Sequence, residues 1–446
     1  MDGRTQDPGQ FDTLRRANKY RRAFTWRVGR GSPESKAEIT GLVHLATSDY
    51  PDILEDYLYI SRRRYNNKTA IAKLQLQMLG DVSVQERSIK HYKERLSEEG
   101  APQDFIKSQI TAHELIANAI RQIGDGLAWR SFGYDRFTQQ ILCANAVKQT
   151  VIADGTIAKL EEWSSINDQK GHRAIVNAVT NCISIGDVTA IDAAGNVELI
   201  EVKSGKTKSR RITRQKNRLR DASGILTTGT GILEGKSIVV ASTPITPKNY
   251  LPKLKALLAE AGERGWSSEL VAPHCYVECV DVGKLAELEV AASSMEQAYH
   301  HHIKQWGKGL ASRGCSLNVI AFTPNVAPFS IFPFDDRTCV ELMIGAKVFT
   351  TYINAAEILK VFTAAGWFVE SALDEAVAKT NGEAVLVMKK GGFYCHIPPA
   401  DFAKLQLELL DPVTLLEEIE SIRGFGPNAT SGYGVWTFDG EATQWN

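Results

Sequence analysis

The stretch GDVTAIDAAGNVELIEVKSGK, Gly186 to Lys206, decides the fold. Apolar and polar residues alternate on both sides of its middle, which is the period of a strand. Ala193-Ala194-Gly195-Asn196 is turn chemistry, because Gly195 and Asn196 tolerate positive φ. The stretch is therefore expected to be a hairpin. Alternation puts Glu201 and Lys203 on one face of the second strand. Ile200 and Val202 take the other face, where they are expected to anchor the strand in a core. Asp187, on the first strand, approaches Glu201 if the register brings the two together. Two carboxylates and one ammonium then meet at a strand end. A hairpin built only for stability has little use for that trio. Asp192 and Glu198 read as solvated acids near the turn.

Two adjacent carboxylates repel, and a cation offsets the repulsion. Mg²⁺ suits the place, with Mn²⁺ as a substitute, because it prefers oxygen ligands and is commonly held by one or two carboxylates plus a substrate phosphate. Such an ion lowers the pKa of a bound water and neutralises charge on a phosphodiester. Lys203 is placed to orient the water or to stabilise developing negative charge. The chemistry so assembled is phosphodiester hydrolysis.

The flanks extend the pattern. NDQKGHRAIVNAVTNC, 167–182, is expected to be a helix with Asn167 or Asp168 as its N-cap. SRRITRQKNRLRDASG, 209–224, is expected to be a basic helix closed by Gly224. From Lys203 to Arg220 there are nine Lys or Arg and no acid, so the run is not a balanced solvated face. Arg211, Arg214, Gln215 and Arg218 recur at three- and four-residue spacing and share a helix face. With Lys206, Lys208 and Arg210 they form a candidate phosphate-contact surface. KSIVVAS (236–242) and PHCYVECVDV (273–282) read as strands, and KNYLPKLKALLAEAGERG (248–265) as an amphipathic helix. This order of helices and strands describes a mixed α/β layer domain.

Asp187 on one strand and Glu201-Val202-Lys203 on the next resemble the PD-(D/E)xK nuclease superfamily, the restriction-endonuclease-like fold. The resemblance covers about 120 residues, with Gly186 standing where the motif's name has proline. It implies Asp187 and Glu201 as metal ligands, Lys203 as the catalytic lysine and Gln215 as a further site residue on the following helix. It implies Mg²⁺ as cofactor and DNA as substrate, with RNA not excluded. The family's preceding helix often adds an acid to the metal shell. Here Glu161 and Glu162 lie early, Asp168 is a cap candidate, and Gln169 and His172 are not acids, so the third ligand is open. A role in bacterial restriction or antiphage defence follows by analogy alone. A homodimer is expected because cutting both strands needs two sites. The alternative is a non-catalytic nucleic-acid-binding or regulatory protein on a nuclease-like scaffold.

The chain has 446 residues, too many for one simple core. Three regions are expected: a mostly helical 1–150, the nuclease-like 151–288, and an α+β unit of unknown role at 289–446. The outer two are candidates for binding an activating partner or ligand. HYKERLSEEGAPQDFIKSQITAHELIANAIRQIGDGLAWR, 91–130, has helical spacing with breaks expected at EGAP and IGDG. The basic lead LRRANKYRRAFTWRVGRG, 14–31, reads as a solvated terminus before it reads as a phosphate-touching arm. NVIAFTP, CVELMIGAKVF and AVLVMKKGGFYCHI read as strands, and NAAEILKVFTAAGW and PVTLLEEIESIRGF as helices. Lys plus Arg and Asp plus Glu number 52 each, so net charge names no partner. Seven scattered cysteines, no apolar run of membrane length and no apolar leader core suit a cytoplasmic protein without a membrane partner.

Three other signals fail. HCYVEC, 274–279, lacks a C-x-x-C and reads as strand rather than zinc site. GTGILEGKS, 229–237, has the wrong spacing for a P-loop and precedes a strand. His300, His301 and His302 point about 100° apart on a helix and cannot share one ion.

Overall fold

The structure, a computed structural model, describes residues 50–98, 100, 102–143, 156–202, 210–233, 236–239, 241–242, 246–285, 301, 311–316, 326–371, 386–391, 393–397, 399–423 and 434–435. These are mixed helix and strand, with small antiparallel sheets. They form two compact units interleaved along the chain. One takes the described residues within Leu42–Pro247, Ala327–Ile344 and Glu418–Asn446, the other those within Lys248–Val326 and Gly345–Glu417. The boundaries expected near 150 and 288 fall outside the described residues.

The first unit begins with α1 (Tyr50–Arg63), α2 (Lys68–Arg95) and α3 (Gln103–Ser131). Asn67 caps α2, its side chain accepting from the Ala70 N–H at 3.0 Å. Leu74, Met78 and Val82 of α2 recur at four-residue spacing and are fully buried, as are Ile116, Ile120 and Ile123 of α3. The two helices pack together through these faces.

The break expected at IGDG does not occur: α3 runs through it. The glycines there give close approach, not termination. A Cβ on Gly124 would collide with the Val179 carbonyl oxygen, and one on Gly126 would press on Ser330 Oγ. Asp125, between them, is 1% exposed. Its carboxylate accepts from Asn181 N (2.6 Å), Cys182 N (2.8 Å) and Asn181 Nδ2 (3.0 Å). So α3 fastens the segment that leads into the hairpin.

After α4 (Arg136–Cys143) and α5 (Thr156–Asp168) comes a three-stranded antiparallel sheet in the order β1 (Arg173–Val176), β2 (Val188–Ile191), β3 (Val197–Ile200). The helix expected over 167–182 is therefore corrected. Asp168 ends a helix, Gly171 takes φ +77°, and residues 173–176 are a strand followed by a short 3₁₀ turn. The local pattern reads as helix, but tertiary pairing decides. β1 pairs with β2 on one side, and on its other edge Gln75 of α2 stands in for a strand. Gln75 Nε2 donates to Ala174 O at 3.0 Å, and Val176 N–H donates to Gln75 Oε1 at 2.9 Å. An otherwise open edge is thereby closed. Gln75→Ala is expected to lower stability by about 2 kcal/mol, because it orphans a buried backbone N–H. A thermal melt followed by circular dichroism should fall by about 6 °C. A melting point unchanged within about 1 °C would show that this edge finds other partners.

Next comes α6 (Arg210–Thr228). It continues past Gly224, where closure was expected, and stops at Gly229, whose φ is +72°. Ala222 and Ile225 give the last turns a buried face that carries them through. β4 (Thr230–Leu233) and β5 (Lys236–Val239) pair as a hairpin, so strand follows strand at GTGILEGKS. β6 (Ala241–Ser242) pairs in parallel with Gly434–Val435. The CVELMIG part of CVELMIGAKVF is also corrected from strand to helix, Asp336–Ile344. Cys339, Val340, Met343 and Ile344 are buried at helical spacing, Asp335 caps the start and Gly345 at φ +74° ends it.

The second unit centres on an antiparallel sheet in the order β7 (Trp266–Ala272), β8 (Cys275–Asp281), β10 (Lys347–Asn354), β9 (Ala311–Cys315). α7 (Leu251–Arg264) lies on β7 and β8 through Leu254, Leu257, Leu258 and Ala261. α8 (Ala355–Ala364) follows β10, and a meander of β11 (Phe368–Ser371), β12 (Leu386–Lys390) and β13 (Phe393–Ile397) comes next. α9 (Pro399–Leu407) packs against β9 and β10, and α10 (Pro412–Arg423) follows. NVIAFTP lies outside the described residues. HCYVEC is strand: Cys275 and Cys279 are core thiols, and burial pushes the Cys275 thiol up to about 12. No helix among the described residues is long and apolar enough to cross a membrane.

Candidate functional site

The hairpin turn is tied by Asp192. Its Oδ1 accepts from Ala194 N (2.8 Å) and Asn196 N (2.9 Å), and its Oδ2 from Asn196 Nδ2 (2.8 Å). Gly195 takes φ +85°. These hydrogen bonds hold the Asp192 carboxyl below its ordinary range. Asp192 is thus a working turn residue, while Glu198 is exposed. The turn fixes the register Ile191↔Val197 through Val188↔Ile200. One further regular step would set Asp187 opposite Glu201.

At that step the ladder slips. Gly186 has φ +78°, and the Asp187 N–H reaches Ile200 O at 2.7 Å. The chain leaves β3 after Ile200. The Val202 N–H, free of the ladder, donates to Asp187 Oδ2 at 2.9 Å. The Asp187 carboxylate therefore turns toward the Glu201-Val202 segment. Asp187 is 8% exposed and Glu201 half-buried. Leu199, at 5% exposed, is the apolar anchor of β3, whereas Ile200 and Val202, expected in the core, are half-buried. Leu199 pairs with Thr189 in the regular register, and Ile200, next along the strand, takes the opposite face.

Two residues that sequence reasoning passed over set this corner. Asn177, fully buried, donates from Nδ2 to Ile185 O and Gly186 O, accepts at Oδ1 from the Thr189 hydroxyl, and gives its backbone N–H to Asp187 O. Every polar group of that side chain is used to hold the Ile185–Asp187 bend. Lys159 of α5 reaches Asp187 Oδ1 at 2.7 Å, with side chains 20% and 10% exposed. α5 is fastened to the sheet by Trp163, whose Nε1 donates to Ala174 O at 2.9 Å. The preceding helix therefore brings a lysine to Asp187, while Glu161 and Glu162 are exposed. Nothing in TIAKLEEW marks Lys159 beforehand; it is found only once α5 docks on β1 and β2.

No protein-family model matches the chain, and no curated protein or solved structure is significantly similar to it.

The other expected site residues divide into three groups. Lys203, Lys206 and Lys208 lie outside the described residues. Arg210, Arg211, Arg214 and Gln215 sit on the first turns of α6, and Arg218, farther along, is half-buried. α6 packs beside β3 and β4. Of the three histidines only His301 is described. Among the described residues no three His, Cys, Asp or Glu side chains converge as a metal cage. The 2.7 Å contact of Lys159 marks where positive charge meets Asp187.

Proposed function

We propose that the chain is a metal-dependent nuclease of the PD-(D/E)xK type that hydrolyses phosphodiester bonds in DNA. One observation carries the reading: where the hairpin register ends at Val188↔Ile200, the Asp187 carboxylate accepts from the Val202 N–H, the residue next to Glu201. The docking of basic α6 beside β3 supports it. Asp187 and Glu201 would hold Mg²⁺ or Mn²⁺, which when bound supplies an acidified water and neutralises phosphate charge. Asn177 keeps the Asp187 bend in place, and the basic turns of α6 bind the phosphate backbone. Lys203 follows Glu201 by two residues and orients the attacking water.

The Lys159–Asp187 ion pair favours a second reading, a nucleic-acid-binding protein on the same scaffold without catalysis. There a lysine replaces the ion for good. The test is incubation of plasmid DNA, linear DNA and RNA with the purified protein in Mg²⁺, Mn²⁺ and EDTA, beside Glu201→Ala and Lys203→Ala. The nuclease predicts cutting in either metal, none in EDTA, and loss in both variants. Nucleic acid bound equally by all three proteins and never cut would replace it with the second reading.

A further inference from the structure

A second basic surface lies at the other end of the β1–β2–β3 sheet. Tyr65, in the turn between α1 and α2, carries the Arg130 guanidinium at 4.3 Å and the Arg173 guanidinium at 4.0 Å from its ring centre. Two such groups that close to one ring would collide on a single face, so they take opposite faces. Tyr65 Oη donates to Ser131 Oγ at 3.0 Å and Arg130 Nη1 to Arg62 O at 2.6 Å, which fixes the stack. Lys68 Nζ donates to Gln169 O at 2.6 Å and ties this turn to the one before β1. Arg64 and Lys170 are exposed beside it.

Ordinary helix electrostatics explain part of this. Arg62 and Arg130 end α1 and α3, where cations are favoured. Arg62 is also buried and neutralised by Asp336 at 2.7 Å. The same rule disfavours Lys68 in the first turn of α2, which holds no acid. It has nothing to say of Arg64 in a loop or Arg173 opening a strand. Among the described residues neither Arg130 nor Arg173 pairs with a carboxylate. Of the acids near these segments in the chain, Asp168 is exposed, Asp192 ties the hairpin turn, and Asp135 caps α4. Cations gathered from three separate segments without matched acids repel one another, and a polyanion relieves that repulsion. Tyr134, held at φ +61° beside Arg130, adds a half-buried aromatic ring to the same surface.

We infer that the Arg64–Lys68 turn, with Arg130, Lys170 and Arg173, is a docking surface for the phosphate backbone of a nucleic acid. Arg173 pairs with Ile191 and Val176 with Val188, so the surface lies about 13 Å along the strands from Asp187, at about 3.3 Å per residue. One DNA strand presents about four phosphates over that length. The surface would thus hold a substrate that also reaches Asp187; the identity of the partner rests on the nuclease reading, while the binding does not need cleavage.

Fluorescence anisotropy on a labelled 30-mer duplex DNA and the matching RNA tests this with the full chain, in EDTA, across a salt series. The Arg130→Ala/Arg173→Ala pair is expected to weaken binding at least tenfold at 0.1 M salt. It should also flatten the log K against log salt slope by about 2, at about 0.9 per duplex phosphate contact. Arg64→Glu is exposed and packs nothing, so it answers any folding defect in the double variant; it should weaken binding severalfold. Binding by both variants within twofold of wild type, at unchanged slope, would overturn the inference. So would a wild type that ignores both nucleic acids, or that binds only phosphatidylserine vesicles. Cutting that survives with unchanged binding in these variants would sink this surface and leave the nuclease standing; binding through it without cutting would do the reverse.

Discussion

Asp125→Ala is expected to destabilise the first unit by about 4 kcal/mol, since it orphans two buried backbone donors and one side-chain donor. Those donors are Asn181 N, Cys182 N and Asn181 Nδ2. Asp125 and Cys182 are buried, which shields these donors from bulk water. The melting point should fall by about 12 °C. Burial holds the Asp125 carboxyl above its ordinary range, against the hydrogen bonds from Asn181 and Cys182. That direction sets a pH test. A carboxyl with a raised folded-state pKa contributes stability that is fully present below its unfolded value, about 4, and is lost as pH rises through the folded value. Asp125→Asn does not titrate. Its stability should therefore gain on wild type as pH rises from 4 toward 8, measured by urea unfolding. A wild-type advantage that grows with pH would mean that the hydrogen bonds outweigh burial.

Asp125 also shows why part of the fold was hidden in the sequence. IGDG carries two residues with helix-breaking tendencies, yet α3 passes through it because Gly124 and Gly126 leave room for the neighbouring backbone. Local propensity is a weak prior against such packing. The 173–176 strand is hidden for the same kind of reason: its edge partner, Gln75, is a glutamine 99 to 101 positions before the residues it bonds. The hairpin was legible because its information is local. Gly195 and Asn196 set the turn, Asp192 ties it, and the two-residue period fixes which side chains share a face. The register runs to Val188↔Ile200, one step short of Asp187 and Glu201. What the period could not show is that Leu199 rather than Ile200 is the buried anchor, that the ladder slips after Ile200, or that Lys159 arrives from α5.

Lys159 yields the sharpest separation of the two functional readings. Lys159→Met is expected to cost the protein in EDTA about 3 kcal/mol, the usual penalty for removing one partner of a largely buried ion pair. The Asp187 carboxylate would keep the Val202 N–H but lose its counter-charge, with Glu201 next to Val202 in the chain. If Asp187 and Glu201 hold a divalent ion, Mg²⁺ should then restore the loss. A ligand present at about 100 times its Kd adds about 2.7 kcal/mol, close to what the substitution removes. Wild type should gain less from the same Mg²⁺, because Lys159 must first give up Asp187 Oδ1. Adding Glu201→Ala to Lys159→Met should abolish the recovery. The readout is the melting point in EDTA and in Mg²⁺, which needs no substrate and no cleavage. A Lys159→Met protein that stays destabilised in Mg²⁺ would remove the metal from this corner, and the nuclease reading with it. Recovery that depends on Glu201 would instead make Lys159 a placeholder, a cation that keeps two facing carboxylates folded until a divalent ion and its phosphate arrive together.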